Sequence, residues 1–322
     1  MILVTGGFGM IGSSLVKRLA EEGKEVILFD RVIDPGSDFF KGCSNIYYES
    51  GDVTNLFQLT TVFAKYRIET IVHSAANLNG VYCKANPTDA FQTNTIGTLN
   101  LLELARIYGV NKFLYVGSGS VFGTQTSTDP IYESTLATPM NTYASTKRVS
   151  EELVHCYRVN YGIQGVNLRV SWVFGPLPEL KEPRWNTGPI AYYTWKVLTE
   201  NRLVEESGLD FIANFTFVDD VVDGICRAIE VDNPPEYLHL SSEQLYSNRE
   251  IVEFLSEKCP GAEIKLGEGM EPFVQQAPLR GPLVSEFKEQ IGYKPRADFK
   301  ESLEKYYNWM CAELKKKENQ HA

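Results

Sequence analysis

The sequence predicts a doubly wound α/β fold, with a parallel sheet covered by helices on both faces and a smaller C-terminal lobe. Three observations lead there. Short apolar runs alternate with amphipathic stretches through the first 170 residues. The first apolar run, residues 2–5, opens directly into Gly6-Gly7-Phe8-Gly9-Met10-Ile11-Gly12. The alternation then breaks after Val170, where Pro176, Pro178, Pro183 and Pro189 crowd together. Strands buried on both faces read as continuous apolar runs, which is the mark of a parallel sheet.

Each element has its own signal. Strands are predicted at 2–5, 25–30 ("EVILFD"), 45–49, 70–73, 112–116 ("KFLYV") and 165–170. Helices are predicted between them at 11–22, 56–66, 90–108 and 141–161, from apolar residues recurring at three- and four-residue spacing. The stretch "NFTFVDDVVDGICRAI" (214–229) returns to a strand-then-helix pattern. Residues 241–310 hold short helices between turns at Pro260-Gly261, Gly267, Gly269 and Gly281-Pro282. The expected organisation is a nucleotide-binding domain over 1–170, rejoined by 213–240. A substrate lobe comes from 171–212 and 241–313, and a frayed tail from 314–322.

Composition narrows the function. A chain of 322 residues suits one large α/β unit or two lobes. A formal net charge of -10 argues against non-specific nucleic-acid binding, which needs a basic face. No apolar run approaches the roughly 20 residues of a membrane span. No charged leader precedes the first apolar run. The six cysteines are scattered, and the four histidines show no metal-ligand spacing. The expectation is a cytoplasmic protein with free thiols, no bound metal, and no membrane or nucleic-acid partner.

The glycines explain themselves between a strand and a helix. Residues 7–12 fit G-x-G-x-x-G, and Gly6, Gly9 and Gly12 also fit G-x-x-G-x-x-G. In that context glycine permits a tight turn and lets the backbone approach a pyrophosphate. The helix N-terminus then stabilises the anion. Met10 and Ile11 belong to the same first helical turn. Asp30 ends the second strand, where a carboxylate accepts hydrogen bonds from ribose hydroxyls and repels a 2′-phosphate. A Rossmann-type domain binding NAD is therefore expected. Arg31 opens the alternative of NADP, because a guanidinium pairs with phosphate.

"NTYASTK" (141–147) suggests chemistry. Tyr143 and Lys147 are four apart on a helix and so share a face. A nearby ammonium favours phenolate and lowers the tyrosine pKa from about 10. Such a tyrosine moves protons at neutral pH. On its own the pair is an ordinary surface feature; with the glycine motif upstream it reads as an acid/base.

The combination resembles the extended short-chain dehydrogenase/reductase superfamily, which includes NAD-dependent epimerases and dehydratases. The resemblance rests on "TGGFGMIG" (5–12), "GDVTN" (51–55), "HSAA" (73–76), "NTIGTLNLLE" (94–103), "GSGSVFG" (117–123), "YASTK" (143–147), "LRVSWVFGP" (168–176) and "FTFVDDVVDGI" (215–225). It implies roles by position. Ser118 would bond the reacting oxygen, Tyr143 would be the acid/base, and Lys147 would bind the nicotinamide ribose. Asp52 and Val53 would flank adenine, and Ala75 and Ala76 would line the cofactor path. Asn94 would be the family's helix asparagine or a structural cap. Val170 and Ser171 would lie near the nicotinamide. His73 reads as a packed strand-end histidine. The resemblance also suggests a homodimer through the helices at 90–108 and 141–161.

Departures from the family pattern bear on substrate. Dehydratases and decarboxylases of the family carry acids where this chain has Gly119 and Ser120. Sugar-nucleotide epimerases place an asparagine at Trp172 and a phosphate-binding arginine at Ala213. Arg184, Arg202 and Arg280 are candidates to compensate, Arg280 first. With Ser120 and Trp172, Arg280 completes the expected substrate residues. Trp185, Tyr192, Tyr193 and Trp195 offer an aromatic wall. The sequence alone thus favours an NAD-dependent oxidoreductase of a small polar substrate, such as a sugar acid or hydroxy acid. The alternatives are a nucleotide-sugar epimerase with relocated diphosphate contacts and a non-catalytic NAD-binding regulatory protein.

Overall fold

The computed structural model describes residues 1–125, 127–184, 187–273 and 280–321. Trp185 lies outside them. The elements in chain order are β1 (Ile2–Thr5), α1 (Met10–Glu21), β2 (Val26–Asp30), β3 (Ile46–Ser50), α2 (Leu56–Lys65), β4 (Thr70–His73), α3 (Gly80–Ala85), α4 (Pro87–Phe91), α5 (Gly97–Tyr108), β5 (Lys112–Val116), α6 (Thr142–Tyr161), β6 (Gln164–Val170) and β7 (Val173–Phe174). Then follow α7 (Pro189–Glu200), β8 (Arg202–Glu205), β9 (Ile212–Ala213), β10 (Thr216–Phe217), α8 (Val218–Glu230), β11 (Tyr237–Leu240), β12 (Tyr246–Ser247), α9 (Asn248–Lys258), β13 (Glu263–Leu266) and α10 (Phe299–His321).

The main sheet has seven parallel strands in the order β11-β6-β5-β4-β1-β2-β3. β1 is buried along its whole length, as its unbroken apolar run requires. One apolar layer joins the sheet to α1 and α8 and includes Leu15, Leu28, Val221 and Ile225. The other, on α2, α5 and α6, includes Leu59, Leu101, Phe113 and Val154. The order reverses at β1, which lies between β2 and β4. Such a switch point opens a crevice beyond the carboxyl ends of the strands.

Lys112 begins β5 and is buried, yet its ammonium is satisfied. Its Nζ donates to the carbonyls of Ile229 (2.5 Å) and Val231 (2.9 Å) at the end of α8. A cation there complements the negative end of the helix. α8 is thereby tied to the sheet edge that β11 extends.

Two elements differ from the sequence expectation. The helix expected at 90–108 starts at Pro87 and contains a π-helical turn at Gln92–Ile96. That turn buries Asn94 and Thr95, and π turns often serve sites. The expected frayed tail, 314–322, is helical through His321. Met310 is fully buried and Leu314 packs on the lobe core, while Lys317 Nζ donates to the Leu180 carbonyl at 2.6 Å. The amphipathic pattern of this stretch therefore continues further than its lysine run suggests.

The C-terminal lobe is held by aromatic packing. Phe174, Phe211, Phe215, Phe217, Phe273, Phe299 and Tyr306 form its core. Tyr246 stacks on Phe299 with centroids 4.0 Å apart.

α6 is fixed to β6 by a buried ion pair. Glu151 accepts from Arg169 Nε and Nη2, both at 2.9 Å. Neither side chain is more than 3% exposed. Removing one partner leaves a buried charge and costs about 3–5 kcal/mol, whereas replacing both by apolar groups of similar volume is often neutral. Glu151→Ala should lower the urea-unfolding free energy by that amount, and the double variant Glu151→Leu/Arg169→Met should recover most of it. Equal stability of wild type and Glu151→Ala would show that the pair is not a fold determinant.

Candidate active site

β1 leads into the glycine turn. Gly6 has φ +69, a conformation that strains other residues. Gly9 N donates to Gly6 O at 2.9 Å and closes the turn. A Cβ on Gly12 would fall 2.1 Å from Gly6 O, so only glycine lets α1 start this close to β1. Asp30 reaches back from β2, and its Oδ2 accepts from Phe8 N at 3.0 Å.

The crevice beside this turn is lined by Gly6, Gly9, Asp30, Arg31, Asp52, Val53, Ala75 and Ala76, all named from the sequence. It is also lined by Phe29, Gly51, Ser74, Leu78 and Thr93, which sequence reasoning missed. Ser74 lies inside "HSAA" but carries no role of its own in that motif; its hydroxyl donates to Thr5 O at 2.7 Å. Met10, Ile11 and Gly12 form the helical turn at the head of the crevice. Arg31 is well exposed and lies 3.9 Å from Asp52. The bare turn, the free helix N-terminus and the acid at the end of β2 fit a dinucleotide.

Asn94, expected either as the family's helix asparagine among the cofactor residues or as a structural group, makes structural contacts. It is buried and committed to the protein. Its Nδ2 donates to Asn77 O (3.1 Å) and Thr146 Oγ1 (2.9 Å), and its Oδ1 accepts from Asn77 N (2.6 Å). It ties the loop after β4, the π turn and α6 together. His73 is a packed histidine between Thr5 Oγ1 (2.7 Å) and Thr98 Oγ1 (3.0 Å). Burial holds its pKa down at about 3, so its ring is neutral.

Ser118, Tyr143 and Lys147 converge beyond β5. Ser118 caps the turn at Gly119–Phe122, accepting from Ser120 N at 3.2 Å. Asn141 caps α6, accepting from Ala144 N at 2.9 Å, which sets Tyr143 in the first turn. The Ser118 hydroxyl lies close enough to the Tyr143 phenol to favour its ionised form. Lys147 Nζ donates to Val116 O at 2.8 Å and lies 4.8 Å from the centroid of the Tyr115 ring.

The electrostatics differ from the sequence expectation. Burial raises the Tyr143 pKa to about 12, and the influences that lower it are the Ser118 hydrogen bond and the Arg280 guanidinium. Burial lowers Lys147 to about 8, with Glu151 and Cys83 opposing. The ammonium is turned to Val116 O, so the expected lowering of the phenol by Lys147 is not what this arrangement gives. Desolvation, which depends on the packed fold, outweighs the local pairing.

The substrate candidates separate. Arg280 enters the site, its Nη1 donating to Gly119 O at 2.8 Å. Ser120 Oγ is buried there without a hydrogen-bond partner among the described residues. Trp172 has φ +39 and packs edge-on against Phe211 and Phe215. Ala213 is buried in the same aromatic core. Tyr193 is core, Trp195 is packed against it, and Tyr192 donates to Glu205 at 2.9 Å. Arg202 pairs with Glu263 at 3.1 Å on the surface, and Arg184 is exposed. Val170 and the buried Ser171 end β6. Among the described residues, no group of three or more His, Cys, Asp or Glu side chains is placed to hold a metal ion, and no helix is long and apolar enough to cross a membrane.

The profile of the NAD dependent epimerase/dehydratase family matches residues 2–246. The chain belongs to this family. Its cofactor is accordingly NAD. Among relatives of this epimerase/dehydratase chain, a putative UDP-glucose 4-epimerase of Methanocaldococcus jannaschii is 27% identical, covering 96% of this chain and 98% of that protein. A UDP-glucuronate 4-epimerase of Thermodesulfobacterium geofontis is 27% identical over 95% of each. The crystal structure of UDP-glucose 4-epimerase with UDP-glucose from Thermotoga maritima superposes with a TM-score of 0.86 at 25% identity, covering 97% of this chain and 99% of that one.

The depressed Lys147 pKa has a stability consequence. Between about pH 8 and 10.5 the unfolded chain holds more protons at this residue than the folded one, so wild-type stability should rise with pH across that window. Lys147→Met lacks the burial penalty, which is on the order of 3 kcal/mol at neutral pH. The variant should gain stability relative to wild type at pH 7, and the gain should shrink as pH approaches 10.5. Urea unfolding at pH 7, 8.5 and 10 checks this; a gain that grows with pH would contradict it.

Proposed function

We propose that this chain is an NAD-dependent epimerase of a nucleotide-linked sugar that inverts the 4-position by removing a hydride and returning it to the opposite face. The observation that carries the reading is a complete Ser118–Tyr143–Lys147 set with Gly119 and Ser120 where elimination or decarboxylation would need an acid. Near-full-length relatives named as a putative UDP-glucose 4-epimerase and a UDP-glucuronate 4-epimerase support it.

Bound NAD supplies the hydride acceptor and donor. On this reading Gly6, Gly9, Met10, Ile11 and Gly12 hold its pyrophosphate. Asp30 holds the adenine ribose, and Asp52 and Val53 flank the base. Ala75, Ala76, Val170 and Ser171 line the way to the nicotinamide, whose ribose Lys147 binds. Tyr143 takes the proton of the 4-hydroxyl as the carbonyl forms, then returns it after the sugar turns over. Ser118 donates to the reacting oxygen. Burial works against the phenolate, so the Ser118 bond and the Arg280 charge carry its stabilisation.

A second reading has its own support. Trp172 and Ala213 fill with aromatic packing the region where the family's diphosphate contacts are expected. A buried diphosphate without charged partners is costly, so a dehydrogenase of a small polar substrate fits that feature. The intact catalytic set argues against a non-catalytic regulator. A homodimer through α5 and α6 is part of the proposal; Ile107, Val159 and Tyr161 are exposed on them. A reducing, cytoplasmic setting suits six free cysteines.

The test incubates the purified protein with UDP-glucose and UDP-glucuronate and follows the 4-epimers by proton NMR in deuterated water. The epimerase should retain NAD through purification, form the epimer and incorporate no solvent deuterium at C4. Tyr143→Phe should keep NAD and lose about 10²–10⁴-fold in turnover. Steady release of reduced cofactor with small alcohols or hydroxy acids, and no epimer, would move the second reading to first place.

A further inference from the structure

Lys147 is only 2% exposed, and its Nζ donates to a neutral group, the Val116 carbonyl, at 2.8 Å. Among the described residues it makes no ion pair with a carboxylate. Yet Glu151 stands one helical turn on, on the same face of α6. A buried charge without a counter-charge is costly, so something other than a direct pair must favour the ammonium.

Glu151 is fully buried and already engaged. Its carboxylate accepts from Arg169 Nε and Nη2, both at 2.9 Å, and from Arg148 Nη1 at 3.0 Å. Arg148 is shared in turn with Glu152, so the arginines are matched by acids. A Cβ on Gly117 would fall 3.2 Å from Glu151 Oε1 and 3.2 Å from Leu168 O. The carboxylate therefore lies against the peptide that joins Val116, the acceptor of Lys147, to Ser118. Spent on arginines, it acts on Lys147 as a charge across packed protein, where the low dielectric strengthens it.

The other groups that face Lys147 do not supply a fixed negative charge. From α3 comes the Cys83 thiol, which burial pushes up and so keeps protonated. From β4 comes His73, held neutral at about 3 by burial. From β5 comes the Tyr115 ring, its centroid 4.8 Å from Nζ. On α6 itself the Tyr143 phenol is pushed up to about 12. Arg148 and Arg169 are both bonded to the Glu151 carboxylate. Among these groups the permanent anion acting on Lys147 is Glu151.

We propose that Glu151 is a positioning residue of this site: its carboxylate is the fixed counter-charge that keeps Lys147 an ammonium in the NAD-bound protein. The proposal rests on the reading of Lys147 as the residue that holds the nicotinamide ribose. An ammonium has three N–H donors and no acceptor. One goes to Val116 O, which leaves the others for the cofactor. Loss of the proton removes a donor together with the charge. Seating α6 on β6 is a separate use of the same carboxylate. An apolar pair can replace the seat, as argued above for Glu151 and Arg169, but it supplies no charge to Lys147.

The experiment follows the charge of Lys147 by NMR in NAD-loaded protein labelled at the lysine Cε carbons, its signal identified by its loss in Lys147→Arg. Wild type, Glu151→Leu/Arg169→Met and Glu151→Asp are compared across neutral to alkaline pH, and NAD retained on dialysis is measured at each pH. In the double variant the Lys147 midpoint should fall by roughly one pH unit, the scale of losing a nearby opposite charge. The pH above which dialysis strips NAD should fall with it. Glu151→Asp, which keeps the carboxylate, should stay closer to wild type than to the double variant. An unmoved or raised midpoint in a double variant that unfolds in urea like wild type overturns the proposal, as does an aspartate variant that titrates like the double variant. A midpoint that falls while NAD retention keeps its wild-type pH dependence keeps the role of Glu151 toward Lys147 and rejects the ribose reading of Lys147. If the double variant loses its stability, Glu151→Gln, neutral and of the same length, takes its place with the same outcomes.

Discussion

The buried pair of Glu151 and Arg169 is the constraint on which the rest of the site depends. It joins α6, which carries Tyr143 and Lys147, to β6, which ends in Val170 and Ser171. Glu151 is one helical turn beyond Lys147 and raises the lysine's affinity for its proton against burial. Arg169 is enclosed by the Phe122 and Tyr237 rings at 4.9 and 4.6 Å. Phe122 belongs to the turn that Ser118 caps, so one guanidinium touches the helix, the strand and the serine turn. A buried ion pair contributes little net stability compared with an apolar replacement. Its use here is position, because an apolar pair would not fix the register of α6 against the strand so tightly.

The same logic holds on the other side of the crevice. Asp30 clasps the glycine turn from β2, and Asn94 clasps the loop after β4 from the π turn. Each is a polar side chain bridging segments that meet only because the sheet order reverses at β1. The apolar layers bring the strand ends together; these bridges settle the loops that run beyond them. Asn94 is satisfied by protein in this way, whereas Asp30 keeps a place in the lining of the crevice beside the bare backbone of the glycine turn.

What was legible in the sequence follows from locality. The strands and the glycine turn are written in residues within a dozen positions of each other, and β1, β4 and β5 fall where their apolar runs put them. Tyr143 and Lys147 were legible because helical spacing is local. The π turn was not, since Asn94 is drawn inward by Asn77 and Thr146, 17 and 52 residues away. Glu151 and Arg169 were equally hidden: each reads as an ordinary surface charge until the sheet closes over it. The direction of the Tyr143 shift was missed for the same reason. Lys147 was visible on the helix, but neither the burial of the phenol nor the turn of the ammonium toward Val116 is local. Arg280 was reachable only through resemblance, and its contact with Gly119 crosses 161 positions.

The substrate end of the pocket shows how a shared scaffold can be turned to a different charge pattern. An arginine at position 213 would have to emerge from the aromatic core in which Ala213 is buried, and an asparagine at 172 would lose the edge-on contacts that Trp172 makes with Phe211 and Phe215. These substitutions are therefore coupled: once the lobe core is extended by Trp172, a charged side chain at 213 has no solvated or paired place to go. The cation that reaches the Ser118 turn is instead Arg280, on a segment clamped by Glu133 and Leu283 rather than on the core, which leaves the aromatic packing of the lobe free of any charge to solvate.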